Sequence, residues 1–164
     1  MGASEEENMK QTQTCISFVI NAIPIANGRP RFSRSHGTKN VVAYTPKRTK
    51  DYEKQVLDAA KPHIPKTITD PSHIYIKVIF PRPKRLEAKK HPDGLIPHDK
   101  RPDIDNLAKA VMDGLGPLIK DDALITKMTA AKYYCERGGQ PRTLVTIITN
   151  HNTEEDNQYD TTIF

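Results

Sequence analysis

No tryptophan occurs in this chain of 164 residues, and aromatic residues make up only 6% of it. That scarcity argues against a platform on which unpaired bases would stack. Cysteine is almost as rare: Cys15 and Cys135 stand alone, with no CxxC spacing and no Cys/His cluster beside either. Both fall in strand-like stretches and are expected to be buried free thiols of a protein working in a reducing compartment. No apolar run approaches a membrane span. The opening MGASEEENMK is acidic where a secretory leader would be basic. A cytoplasmic protein with no membrane partner is the expectation.

What the chain does have is positive charge, and more of it than the total suggests. The net charge is +5, but residues 1–14 carry −2 and residues 150–164 carry −4. Setting both aside leaves +11 on residues 15–149. A surplus of that size suits a polyanionic partner, because each lysine or arginine on a phosphate releases condensed counterions. The two ends are polar and without periodicity, so 1–14 and 150–164 read as tails around one domain at 15–149.

Within that domain the periodicities alternate. CISFVINAIPIA places Ile16, Phe18, Ile20 and Ala22 on one face of a strand. NGRPRFSRSHGTKN reads as a turn region, and residues 40–44 as a second strand returning antiparallel. Thr45-Pro46 opens a helix, with a hydroxyl cap and proline at the first helical position, and turns Tyr52, Val56 and Leu57 inward. HIYIKVIF, residues 73–80, is a third strand. Residues 81–101 form a long connection rich in proline and basic residues, a length that usually marks function or mobility. A second helix spans about 103–115, with Ile104, Leu107, Ala108, Val111 and Leu115 as its apolar stripe. Two further strands, LITKMTAAKYYC and RTLVTIITN, are joined by ERGGQP, a hairpin signal. The expected fold is α+β: a single domain, a mixed and mainly antiparallel sheet, and two principal helices on one face.

The chemistry gathers around the second helix, in KRPDIDNLAKAVMDGLG. Asp103 sits at the N-cap position, Asp105 in the first turn, and Lys109 one turn beyond Asp105. Each acid alone has an ordinary explanation, since aspartate caps helices and complements the dipole. The later pair Asp121 and Asp122 changes the balance, because carboxylates bunched together repel unless a cation lies between them. Such a set, with no histidine or cysteine near it, consists of hard oxygen ligands suited to Mg²⁺ or Mn²⁺. Lys109 would offset charge on a phosphate, and an acidic centre in a basic field is the layout of a metal-dependent nuclease.

The segment KRPDIDNLAKAVMDGLGPLIKDDALITKMTAAKYY resembles the signature of the RusA-type Holliday junction resolvases, small endonucleases common in prophages. NGRPRFSR, YTPKRTKDYE, IFPRPK and IPHDKRPDIDN extend the resemblance over roughly residues 18–148. It implies a homodimeric, Mg²⁺- or Mn²⁺-dependent endodeoxyribonuclease that makes paired symmetric nicks across a four-way DNA junction, in recombination and repair. It implies no small-molecule cofactor. Its catalytic acids fall on Asp103, Asp105 and Asp122, its lysine on Lys109, and Asp121 on a commonly acidic position that supports the metal site. By the same analogy Arg29, Arg31, Arg34, Arg82, Lys84, Arg85, Lys100 and Arg101 are candidate DNA contacts, with the 81–101 segment mobile until DNA binds. Pro102 stands where some members carry a basic residue.

Two other readings use the same residues. A DxD nucleotidyl or glycosyl transferase would place the acids on a diphosphate, but the chain has no Gly-rich nucleotide loop. A non-catalytic branched-DNA-binding protein would keep the acids as helix caps and solvated pairs, and would bind junctions without cutting them.

Overall fold

A computed structural model describes residues 13–28, 31–34 and 41–149, with the backbone alone described for 31–34 and 41–44. The expected tails lie outside the described residues, except that Thr14 already belongs to the first strand. The described chain forms strands β1 (Thr14–Ile20), β2 (Arg31–Arg34) and β3 (Val41–Tyr44), helix α1 (Lys47–Ala60) and strand β4 (Ser72–Phe80). Strand β5 (Ile96–Pro97), helix α2 (Ile104–Leu115), and strands β6 (Ile125–Tyr134) and β7 (Arg142–Thr149) follow.

Five strands build the main sheet in the order β1-β7-β4-β6-β5. Only the β4–β6 pair is parallel, so the sheet is mixed and mainly antiparallel, and the fold is α+β. Strand β4 lies at its centre because its apolar residues face both ways. Ile74, Ile76 and Val78 point to the helices, while Tyr75 and Ile79 are buried on the other face. A strand of that kind needs a neighbour on each side.

That requirement overrides the hairpin signal. Strands β6 and β7 do not pair with each other; β4 lies between them. The ERGGQP turn, with Gly138 at φ +73°, instead carries the chain across the end of β4. There the Cys135 amide donates to the Phe80 carbonyl at 2.8 Å. Direct β6–β7 pairing would push the most apolar strand to an edge.

The two helices pack on one face of the sheet and on each other. Rows of side chains across the strands form that face, one of them Phe18, Val145, Ile76 and Ala130. Tyr52 of α1 is tied to β7 through a buried 2.8 Å hydrogen bond between its hydroxyl and that of Thr143. Close approach of the helices depends on Gly114. A Cβ there would lie 2.7 Å from Cβ of Val56 and 2.8 Å from the Glu53 carbonyl oxygen. Leu107, Val111 and Leu115 are fully buried, each contributing about 1.5–3 kcal/mol of transfer free energy.

Several expectations need correction. Strand β3 does not return along β1; it pairs antiparallel with β2, which lies inside the expected turn region, in a separate two-stranded ribbon. Helix α1 begins at Lys47 with Pro46 at its N-cap and no side-chain cap, so the Thr45 hydroxyl does not cap it. Leu57 is only half-buried, and Thr49 and Ala60 join Tyr52 and Val56 on the inward face. Ile104 drops out of the α2 stripe: it precedes the first full turn and is 37% exposed. Cys135 is buried, but Cys15 is exposed on the outermost strand; both are free thiols.

Candidate active site

The start of α2 is held from below by β6. Ile96 and Pro97 pair with Tyr134 and Tyr133. The His98 amide then donates to the Lys132 carbonyl at 3.1 Å. The Lys132 side chain rises on the helix side of the sheet and donates to the carbonyls of Lys100 and Pro102, both at 2.7 Å. The Arg101–Pro102 bond between those carbonyls is cis. Thus the chain immediately before Asp103 is fixed by one ammonium group. Lys132 was not among the expected site residues. Its signal was available: in Met128, Ala130, Lys132, Tyr134, it is the charged residue on a face that should be apolar.

His98 lies under the same segment, its ring centroid 4.6 Å from Phe80 and 4.2 Å from Tyr134. Its Nδ1 is buried with no hydrogen-bond partner among the described residues. Burial holds its pKa below the usual histidine value, and the charge of Lys132 acts in the same direction.

Asp103 occupies the N-cap position of α2, with extended backbone and its carbonyl accepting from the Leu107 amide at 3.3 Å. Its side chain makes no capping hydrogen bond. The carboxylate is exposed, beside the positive end of the helix dipole, where negative charge is favoured. Asp105 follows in the first turn, exposed, with the Asn106 amide donating to it at a long 3.4 Å. Lys109, one turn further, is exposed and forms no ion pair among the described residues. So the structure brings two carboxylates and an ammonium to one helix start, with the groups free to meet a ligand.

The later acids are elsewhere. Asp121 caps a 3-10 turn at Asp122–Leu124, accepting from the Ala123 amide at 2.8 Å; Asp122 is exposed in that turn. The turn leads directly into Ile125 at the start of β6, whereas Asp103 lies by Lys132 near its end. Roughly 23 Å of extended strand separates those two points. Helix α2, ~18 Å long, spans the same gap in the opposite direction. Among the described residues no three or more His, Cys, Asp or Glu side chains gather closely enough to hold a metal ion. The donor set fits a hard divalent cation in kind, being all carboxylate oxygen, but one chain supplies only Asp103 and Asp105 at one place.

The candidate DNA contacts also divide. Arg82 is an internal strut: its side chain is 2% exposed, and it donates to the carbonyls of Leu86, Pro92, Asp93 and Gly94. It is not available to a phosphate. Arg137 ties the same connection from the other side, through Asp93 at 2.7 Å and the carbonyls of Glu87 and His91. The 81–101 segment is therefore stapled down by two guanidinium groups, contrary to its expected mobility. Lys84, Arg85, Lys100 and Arg101 are exposed, Lys100 beside Asp99 at 3.5 Å. Arg31 and Arg34 lie in β2, in register with Tyr44 and Val41, and Arg29 lies outside the described residues. The strand entry leading to them is pinned beside α2. The Asn27 amide donates to the Asn106 carbonyl at 2.8 Å, and its side-chain amide to Asp113. Nothing in the local sequence marks Asn27 for that role.

An α+β domain with a basic surface and paired carboxylates at a helix start defines a class of phosphate-handling protein. The family model for endodeoxyribonuclease RusA matches residues 22–148, and the chain belongs to that family. Membership implies Holliday junction resolvase nuclease activity and branched DNA as its substrate, and nucleases of this family generally depend on a divalent metal. The chain is also similar to an uncharacterized protein, YqaN, of Bacillus subtilis (strain 168). The two are 36% identical over 140 residues, 81% of this chain and 95% of that protein. No helix among the described residues is long and apolar enough to cross a membrane.

Proposed function

We propose that this protein is a Mg²⁺- or Mn²⁺-dependent endodeoxyribonuclease that resolves four-way junctions by paired symmetric nicks, acting as a homodimer on DNA in the cytoplasm. The observation that carries the proposal is the uncommitted carboxylate of Asp103, which stands at the cap position of α2 without capping it. An acid kept only for helix stability would be expected to bond the amides of the first turn. Asp105 and Lys109 share its end of the helix, and Lys132 fixes the backbone before it.

Asp103 and Asp105 would hold the cation, which supplies Lewis-acid polarisation of the phosphodiester and charge to offset the leaving oxygen. Lys109 would neutralise charge developing on the phosphate. Lys100, Arg101, Lys84 and Arg85, with the arginines of the β2 arm, would hold the flanking duplexes. The separation of Asp122 from this pair within one chain supports a site completed by a second copy, with Asp122 and its neighbour Asp121 arriving from the partner. A four-way junction has near two-fold symmetry, and two such shared sites would deliver two coordinated cuts.

The test is cleavage of a labelled synthetic four-way junction with Mg²⁺, Mn²⁺ or EDTA, beside linear duplex of the same sequence. Metal-dependent nicks in opposite arms are expected. Junction binding without cutting in any metal would instead favour the non-catalytic DNA binder.

A further inference from the structure

The sheet has two outer edges, and they are not alike. On one side β1 is the edge strand. On the other, β5 is only two residues long and covers just the Tyr133–Tyr134 end of β6. From Ile125 to Ala131 the outer edge of β6 has no neighbour among the described residues. Because the Lys132 carbonyl accepts from His98 on that side, strand alternation turns the peptide groups of Thr126, Met128 and Ala130 outward too. An edge of unpaired amides and carbonyls is a template for another strand unless proline, a bulge or a charge blocks it. No proline occurs in β6, and none of Thr126, Met128 and Ala130 is charged. Met128 is 45% exposed in the middle of this stretch, and Ile104 is 37% exposed at the start of α2.

We propose that this free edge of β6 is a docking surface for a second copy of the chain, the two β6 strands pairing antiparallel about a two-fold axis at Met128. The outward peptide groups fit this register: Thr126 of each copy faces Ala130 of the other, and Met128 faces its own counterpart in a hydrogen-bonded pair. The consequence for the acids argues for this edge over β1. In that register the partner's Leu124 falls opposite Lys132. The partner's 3-10 turn, carrying its Asp122, then comes to the same end of the strand as Pro102 and Asp103. One operation covers the open edge and closes the gap that one chain leaves between Asp122 and the helix start. Pairing through β1 would leave that gap unchanged, since β1 is separated from β6 by β7 and β4. The docking surface itself stands on strand geometry; its link to the metal rests on the nuclease reading above.

Cross-linking tests the surface without any need for activity. Met128→Cys, in a Cys15→Ser background, puts two thiols on Cα atoms about 5.5 Å apart, within disulfide range. Mild oxidation of the folded protein at micromolar concentration should convert most of it to a covalent dimer, while Ile23→Cys in the same background should stay monomeric. Light scattering should give twice the chain mass for the unmodified protein, and Met128→Lys, which sets like charges face to face, should reduce it to one. A monomeric unmodified chain, or a dimer that neither cross-links at 128 nor responds to Met128→Lys, overturns the proposal. If the cross-linked dimer forms but cuts no junction, the surface stands and the nuclease reading fails.

Discussion

Lys132 on β6 donates from Nζ to the Pro102 carbonyl at 2.7 Å, so the residue that leads into the catalytic helix is held by a charge from the sheet beneath it. A second bond from the same ammonium, to the Lys100 carbonyl, is equally short. Hydrogen bonds from an ionised group contribute about 1.5–3 kcal/mol, more than neutral ones. Lys132→Met should keep the apolar stem but free the 100–102 backbone. The expected result is a fall of ten-fold or more in the single-turnover cleavage rate with junction affinity nearly unchanged. A matching loss of affinity would show that Lys132 binds DNA directly.

Asp103 separates capping from chemistry. Removing an aspartate that caps a helix usually costs about 1 kcal/mol. Because the Asp103 side chain makes no capping bond, Asp103→Asn should change urea unfolding by under about 0.5 kcal/mol. Junction cleavage should nonetheless be lost. Clear destabilisation with cleavage retained would return this acid to a structural role.

The arginines of the 81–101 connection should behave oppositely. Arg82→Ala removes a buried guanidinium and leaves several carbonyls unpaired, so a stability loss of about 2–4 kcal/mol is expected. Lys84→Ala and Arg85→Ala should leave stability alone. Each should weaken junction binding and lower the salt slope of log K by about one. Titrations at several salt concentrations, with thermal melts, check both halves.

His98 makes stability depend on pH. Its folded pKa is lowered by burial, so between the unfolded value near 6.5 and that lower value the unfolded chain binds the extra proton. Its contribution is therefore full above about pH 6.5 and is lost as pH falls through that window. Melting temperatures from pH 7.5 to 5 should fall more steeply for the native chain than for His98→Gln. Parallel curves would refute the assignment.

How much of this was legible in the sequence follows from which forces are local. The alternation in β1 and β4, and the α2 periodicity with its two acids, are written into neighbouring residues. The separation of β6 from β7 is not, because the ERGGQP turn reports only its own conformation. It carries no information on the competing strand, β4, more than fifty residues earlier. Arg82 reads as a surface cation in sequence, and only the carbonyls folded around it make it internal. The distance from Asp122 to Asp103 depends on α2 and β6 running in opposite directions, a tertiary fact that sequence spacing cannot express.

The most direct measurement of the central claim is a mixed dimer. Asp105→Asn and Asp122→Asn chains, each expected to be inactive alone, would be co-expressed with different tags and purified together. If the acids of one site come from two copies, one site of the mixed dimer carries both changes and the other carries neither. The account predicts that Mg²⁺ restores nicking of the four-way junction, in single nicks instead of coordinated pairs. A mixed dimer as inactive as either parent, under conditions where the unmodified protein cuts, would contradict it.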